Sequence, residues 1–160
     1  MISAQEALIR LKEGNQRFVS GTSSLEPQNN PGRCRELVAG QQPFAVVVGC
    51  ADSRVPVEMI FDQGLGDLFV IRVAGNVAGP IQLGSIEYAV QELGTRLVVV
   101  LGHTNCGAVG ATLAVLQNPP DNFSPNLGAI VTHIQPAVEG LLQTENNPDR
   151  ETLEPVMDFE

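Results

Sequence analysis

Two cysteines and one histidine in this sequence stand in short motifs that could bind zinc, since thiolate and imidazole are usual protein ligands of zinc. Cys50 opens the segment Cys-Ala-Asp-Ser-Arg, and His103 and Cys106 form a His-x-x-Cys motif. Catalytic zinc sites use three protein ligands and keep a fourth position open, whereas structural sites fill all four. The fourth position here is left to water or to the carboxylate of Asp52, because Cys34 lies far upstream in a polar segment. These residues therefore predict a zinc site.

A metal-free alternative uses one of the cysteines as a nucleophile paired with His103, as in an acyl or sulfur transferase. That interpretation leaves the second cysteine of the set without a role. A phosphatase-type loop would require Arg six positions after Cys50, where the sequence has Pro56. The sequence also contains neither the dinucleotide-binding nor the Walker-type glycine motif, so phosphate-binding loops of those kinds are not supported.

Asp52 and Arg54 lie close enough in sequence to Cys50 to take part in the same site. Pairing with Arg54 would keep Asp52 ionised and away from the metal. Loss of that pairing would allow the Asp52 carboxylate to bind zinc and block the open position. The alternative is an ion pair that only braces the loop.

Three apolar runs, rich in β-branched residues, precede the loops that carry this chemistry. They cover Phe44–Val48, Leu68–Val73 and Leu97–Leu101, and such runs are typical of strands buried on both faces of a parallel sheet. The carboxyl ends of parallel strands open at one edge of the sheet, where ligands bind in α/β proteins. We therefore expect Cys50 and His103 to meet there, although 103 − 50 = 53 positions separate them.

Segments with helical periodicity alternate with these runs, which predicts an α/β domain. Ser3 and Glu6 predict a capping box at the start of the first helix, and Pro136 predicts a kink or break in the last. We divide the single domain, residues 1–160, into an N-terminal helix and loop (1–32), a core with the zinc site (33–117) and a helical C-terminal part (118–160). The predicted helices are Ser3–Phe18, Arg33–Ala39, Val57–Phe61, Gln82–Leu93, Ala108–Leu116 and Asn126–Gln143.

The charge of the chain argues against several classes of partner. The sequence has 18 Asp and Glu against 9 Lys and Arg, a formal net charge of −9, and its basic residues are scattered. Nucleic-acid binders and proteins of anionic membranes normally carry a basic patch. The apolar runs are far shorter than the roughly 20 residues that a membrane span needs, and the first residues lack a signal-peptide pattern. These features predict a soluble cytoplasmic protein.

The segment from Gly49 to Val109, with its Cys-x-Asp-x-Arg and His-x-x-Cys signatures, resembles the core of the β-class carbonic anhydrases. The resemblance extends over roughly residues 1–117. It implies a mostly parallel β-sheet flanked by helices, with an N-terminal helix that extends to a partner subunit. It also implies one Zn²⁺ per chain, bound by Cys50, His103 and Cys106, with Asp52 as the fourth ligand in a closed state.

The implied function is the zinc-dependent, reversible hydration of CO2 to bicarbonate and a proton, that is, carbonate dehydratase activity. Asp52 and Arg54 would form the dyad that gates zinc-hydroxide attack. Gln41 corresponds to a substrate-orienting Gln that reaches across the dimer interface in the family, and Phe69 and Tyr88 to apolar wall residues near CO2. The resemblance thus implies a homodimer or a higher homo-oligomer. Some members have a regulatory bicarbonate site that uses a Trp, but this sequence has none.

The sequence departs from the family at its C-terminal end. Family catalytic domains usually continue past the position of Glu160 with a further strand and helix, and nothing here resembles that segment. We therefore expect a C-terminally short member or fragment. This departure leaves two alternatives open: a non-catalytic zinc-bound remnant or bicarbonate-sensing module, and a CS2 or COS hydrolase on the same fold.

Overall fold

A computed structural model of the chain describes residues 1–23 and 31–142. It confirms the predicted alternation of strands and helices, with element ends shifted by one or two residues. A 3-10 turn, Ala74–Asn76, follows the second strand. Residues 24–30 of the predicted N-terminal loop and residues 143–160 of the predicted C-terminal part lie outside the described residues. The elements are α1 (Ala4–Val19), α2 (Pro31–Leu37), β1 (Ala45–Gly49), α3 (Val57–Ile60), β2 (Leu68–Arg72), α4 (Pro80–Gln91), β3 (Val98–Leu101), α5 (Gly107–Gln117) and α6 (Pro125–Leu142).

The three strands form one parallel sheet in the order β2-β1-β3. The register places Gly49 at the end of β1 between Arg72 of β2 and Leu101 of β3. The chain passes from β1 to β2 on one side and then crosses to β3 on the other. The strand order therefore reverses between β1 and β3, which is where a parallel α/β sheet opens a crevice for ligands.

The central strand β1 is buried on both faces, as the sequence predicted. Ala45 and Val47 pack in one core cluster with the apolar residues of α1 and α3, while Val46 and Val48 pack in a second cluster with those of α4. The same prediction was wrong for the two outer strands. The side chains of β2 are half-buried, and Val100 of β3 is 62% exposed. Each outer strand has only one neighbouring strand in the described part of the chain.

Helix α1 packs on the sheet of its own chain. Its predicted capping box is present, because the Glu6 backbone N–H donates to Ser3 Oγ and the Ser3 N–H donates to the Glu6 carboxylate. Ala7 and Leu11 are 1% exposed and lie in the core. Near its end, the Asn15 side chain donates to the carbonyl of Ile60 at 3.2 Å. The extension of this helix to a partner subunit stays a prediction.

Helices α5 and α6 pack against each other and against the Ala74–Asn76 turn. The sequence predicted a kink or a break at Pro136, and the prediction of a break was wrong, because α6 runs through that residue. Val131, Ile134 and Val138 are buried along one side of α6, and their packing offsets the hydrogen bond that proline cannot make. No helix in the described ranges has the length and apolar character needed to cross a membrane.

Gly14 of α1 lies against the turn that follows α3, and this contact predicts the effect of a substitution on stability. A Cβ at Gly14 would lie 1.8 Å from the Phe61 carbonyl oxygen. We expect Gly14→Ala to destabilise the fold by about 1–3 kcal/mol or more, as overpacking does. Gly110→Ala in α5 is the control, because no described atom lies within 4 Å of its added Cβ. That variant should instead stabilise the fold by up to about 1 kcal/mol. Urea unfolding measures both, and equal effects would contradict the close approach.

Candidate metal centre

The loops after β1 and β3 bring Cys50, His103 and Cys106 together at the carboxyl edge of the sheet. Their potential ligand atoms all lie within 4.8 Å of one another, although they come from segments more than 50 residues apart. The two Sγ atoms are 3.9 Å apart. This distance is far beyond the roughly 2.05 Å of a disulfide bond. Two Zn–S bonds of about 2.3 Å at a tetrahedral angle would place two sulfurs about 3.8 Å apart. The spacing of the sulfurs therefore fits zinc.

The hydrogen bonding of His103 determines which of its ring nitrogens can bind a metal. Nδ1 lies 2.9 Å from the backbone carbonyl oxygen of Thr104, which can only accept, so Nδ1 carries the proton. Nε2 is then left with a free lone pair. It is buried and has no hydrogen-bond partner among the described residues. Because buried polar atoms are nearly always paired, this nitrogen indicates a missing partner, and together with the two neighbouring thiols it forms a group that could hold a metal ion.

The surroundings of Cys50 favour its metal-binding form, the thiolate. Burial opposes ionisation of the thiol, but the proximity of His103 and the backbone N–H groups of Gly75 and Asp52 outweigh it and lower the pKa of Cys50 to about 7. The Gly75 nitrogen is 3.4 Å from the Cys50 sulfur. Cys106 is the residue that immediately precedes α5. The site thus favours the thiolate form of Cys50.

Asp52 and Arg54 form an ion pair beside these ligands. Arg54 Nε and Nη2 donate to the two carboxylate oxygens of Asp52 at 2.9 and 2.8 Å, and the Arg54 backbone N–H donates to Oδ1 at 2.9 Å. These hydrogen bonds hold the pKa of Asp52 well below its usual range. Asp52 Oδ2 is 3.9 Å from His103 Nε2, so the carboxylate borders the metal site while Arg54 holds both of its oxygens.

Three further residues, none of them among the site residues predicted from the sequence, brace the loops. Arg72, at the end of β2, donates to the carbonyl oxygens of Cys50 at 2.8 Å and Asp52 at 2.6 Å. Asn105 adopts a positive φ of 53°, and its carbonyl oxygen accepts from Arg54 Nη2 at 3.1 Å. The side-chain amide of Asn76 donates to the carbonyl of Leu101 and ties the Ala74–Asn76 turn to β3. Arg72 could have been singled out from the sequence, since it is the only charged residue in the three apolar runs.

The three predicted substrate residues lie away from the candidate metal ligands of the same chain. The Phe69 and Tyr88 rings contact each other, with centroids 6.3 Å apart. Phe69 is in register with Val46, four residues before Cys50, which corresponds to about 13 Å along a strand. Gln41 is exposed and precedes the amino end of β1, whereas the metal ligands lie beyond its carboxyl end. Their roles toward substrate stay predictions.

Comparisons with known proteins agree with this geometry. The chain is 57% identical over 108 residues to carbonic anhydrase 2 of Mycobacterium tuberculosis, covering 68% of this chain and 52% of that protein. It is 50% identical over 130 residues to a carbonic anhydrase of Mycolicibacterium smegmatis, covering 80% and 61%. The aligned segments thus span about half to three-fifths of these curated relatives.

The fold also matches solved structures of one class. The β-carbonic anhydrase CcaA aligns with a TM-score of 0.65 and 28% identity, covering 91% of this chain and 66% of that chain. The β-carbonic anhydrase CafA of Aspergillus fumigatus gives a TM-score of 0.64 at 28% identity, covering 92% and 66%. The family model described as carbonic anhydrase matches residues 45–158, which is more than half of the sequence. The chain therefore belongs to the carbonic anhydrase family and, with these structural relatives, to its β class.

Proposed function

We propose that this chain catalyses the reversible hydration of CO2 to bicarbonate and a proton, with Zn²⁺ held by Cys50, His103 and Cys106. The observation that carries the proposal is the buried Nε2 of His103, which has no hydrogen-bond partner among the described residues and converges with two thiols beside an Asp–Arg pair. Membership of the carbonic anhydrase family supports this reaction over the transferase, the CS2 or COS hydrolase and the non-catalytic remnant.

The residues around the metal would divide the work between them. Zn²⁺, when bound there, supplies a Lewis acid that lowers the pKa of a coordinated water. Asp52, held as a carboxylate by Arg54, can only accept a hydrogen bond, so it would orient the attacking oxygen by accepting a hydrogen bond from it. Arg54 would also keep that carboxylate off the metal. If Arg54 released it, Asp52 would become the fourth ligand and close the site.

We further propose that the chain works as a homo-oligomer, with Gln41, Phe69 and Tyr88 serving the site of a neighbouring copy. In support, none of the three lies at the metal ligands of its own chain.

An exposed apolar surface on β3 also favours an oligomer. Val98 and Val100 of β3 are 40% and 62% exposed. They alternate with Leu97 and Val99, which pack against the α1 and α3 side of the sheet, so the exposed valines face the α4 side. A second copy would cover this apolar surface.

The ligand set predicts the result of removing one thiol. Cys106→Ser should lower zinc affinity by about 100-fold or more, beyond the usual loss for residues that only support a ligand, and CO2 hydration should fall with it. Metal content by mass spectrometry and stopped-flow hydration measure the two effects. Cys34→Ser is the matched control, because Cys34 is exposed and lies outside the cluster. Full zinc retention in Cys106→Ser would remove this residue from the ligand set.

The proposed role of Asp52 predicts a loss of rate without a loss of metal. Asp52→Asn keeps the shape of the side chain but cannot remain a charged acceptor, so kcat should fall by about 100-fold while zinc content stays at one per chain. Because the pKa of Asp52 is held well below its usual range, the wild-type carboxylate is ionised throughout the assay range. The loss should therefore be similar at every pH between about 6 and 9. A loss confined to one end of that range would contradict the role.

The proposed assembly predicts a change in mass on substitution of one exposed valine. Val100→Asp would place a charge on the apolar surface of β3, so the chain should sediment as a smaller species. Met59→Asp is the control, because Met59 is 51% exposed but lies on α3, against the opposite face of the sheet. Analytical ultracentrifugation at equal concentrations compares the two. Dissociation by both variants alike would argue against β3 as the interface.

A further inference from the structure

The Ala74–Asn76 turn crosses the carboxyl end of β1 and lies between the metal ligands and the α5–α6 helix pair. It leaves β2 and is tied to β3 by the hydrogen bond from Asn76 to Leu101. At its centre, Gly75 has φ 68° and ψ 23°, the left-handed conformation. This conformation lets the Gly75 N–H point at the Cys50 sulfur, which it reaches at 3.4 Å.

The other side of Gly75 is closed by the two helices. A Cβ at this position would lie 2.5 Å from Ile134 Cδ1 of α6 and 3.0 Å from the Ala108 Cβ of α5. Ile134 is 8% exposed, so it cannot swing into solvent to make room. The turn therefore has packed side chains on one face and a metal-binding sulfur on the other.

We propose that Gly75 is a positioning residue of the metal centre, held by the α5–α6 pair so that its backbone N–H hydrogen-bonds the Cys50 sulfur. Ile134 and Ala108 are the surfaces that hold it. An N–H donor reduces the electron density that a thiolate gives to its metal, and such supporting hydrogen bonds tune both affinity and reactivity. The helix pair thereby acts on the metal through the Gly75 N–H as well as through Cys106, which immediately precedes α5. This inference rests on the metal site of the proposed function, although not on its reaction.

The test compares the metal-binding properties of four variants with those of the wild-type chain. Gly75→Ala should weaken zinc binding by roughly 10–100-fold, the usual loss for a residue that supports a ligand. With Co²⁺ in place of zinc, its thiolate-to-metal absorption band should move to longer wavelength, since a thiolate without its N–H donor is more electron-rich. Gly75→Ala combined with Ile134→Val removes the atom at 2.5 Å and should recover most of the affinity and the band position.

Gly21→Ala controls for backbone strain alone. Gly21 has φ 70°, close to that of Gly75, but no described atom lies within 4 Å of its added Cβ. This variant should lose stability while its zinc affinity and Co²⁺ spectrum remain those of the wild type. If Gly75→Ala behaved in the same way as Gly21→Ala, the positioning role would be overturned. If the wild-type chain bound neither metal, the proposed function would be overturned together with this inference.

Ile134→Ala tests the inference from the other side and applies even if Gly75→Ala does not fold. It leaves the glycine and its backbone unchanged but removes the surface behind them. The Co²⁺ band should shift in the same direction as in Gly75→Ala, and zinc affinity should fall by a smaller factor. An unchanged band with unchanged affinity would overturn the role of the helix pair.

Discussion

The parallel pairing of β1 with β3 is the constraint on which the metal centre depends. Gly49 lies opposite Leu101 in this register, so Cys50 and the loop with His103 and Cys106 leave the sheet side by side. A shift of one residue along β3 would turn its side chains to the other face and move the loop by about 3.3 Å. The two sulfurs could not then both reach one metal ion. The buried valines of β1, packed on both faces, fix this register.

Strand pairing brings the loops together, but their final shape is determined by polar groups that pair with backbone atoms. Arg72 donates to two carbonyl oxygens of the loop after β1, and Arg54 donates to the carbonyl of Asn105 in the loop after β3. Asn76 joins the turn after β2 to β3. Three irregular segments thus share hydrogen bonds across the edge of the sheet. Such sharing matters for a metal site, since ligands placed on loops need support from neighbouring groups to hold their geometry.

The sequence was sufficient to predict the strands, the parallel sheet and the convergence of the three metal-binding side chains, because apolar runs and motif spacing record these features directly. It was less informative where the outcome depends on neighbours. Val98 and Val100 have the same residue types as the buried strand residues, but only the sheet order shows that they lie at an edge. The contacts of Gly75, in the turn after β2, likewise could not be predicted, because no sequence motif records its N–H donor or the two helices packed against it. Helix α6 continues through its proline because packing outweighs the lost hydrogen bond.

The 3.9 Å separation of the two sulfurs also has a consequence for the unfolded chain. Cys50 and Cys106 are 106 − 50 = 56 positions apart, so an ion bound by both would act as a reversible cross-link that closes the segment containing β2 and β3. In the chain-entropy description of cross-links, closing a loop of that length removes enough freedom from the unfolded ensemble to favour the native state by about 4 kcal/mol. A metal bound there would therefore also stabilise the fold, and a chelator that removed it would leave the pairing of β3 with β1 without this cross-link.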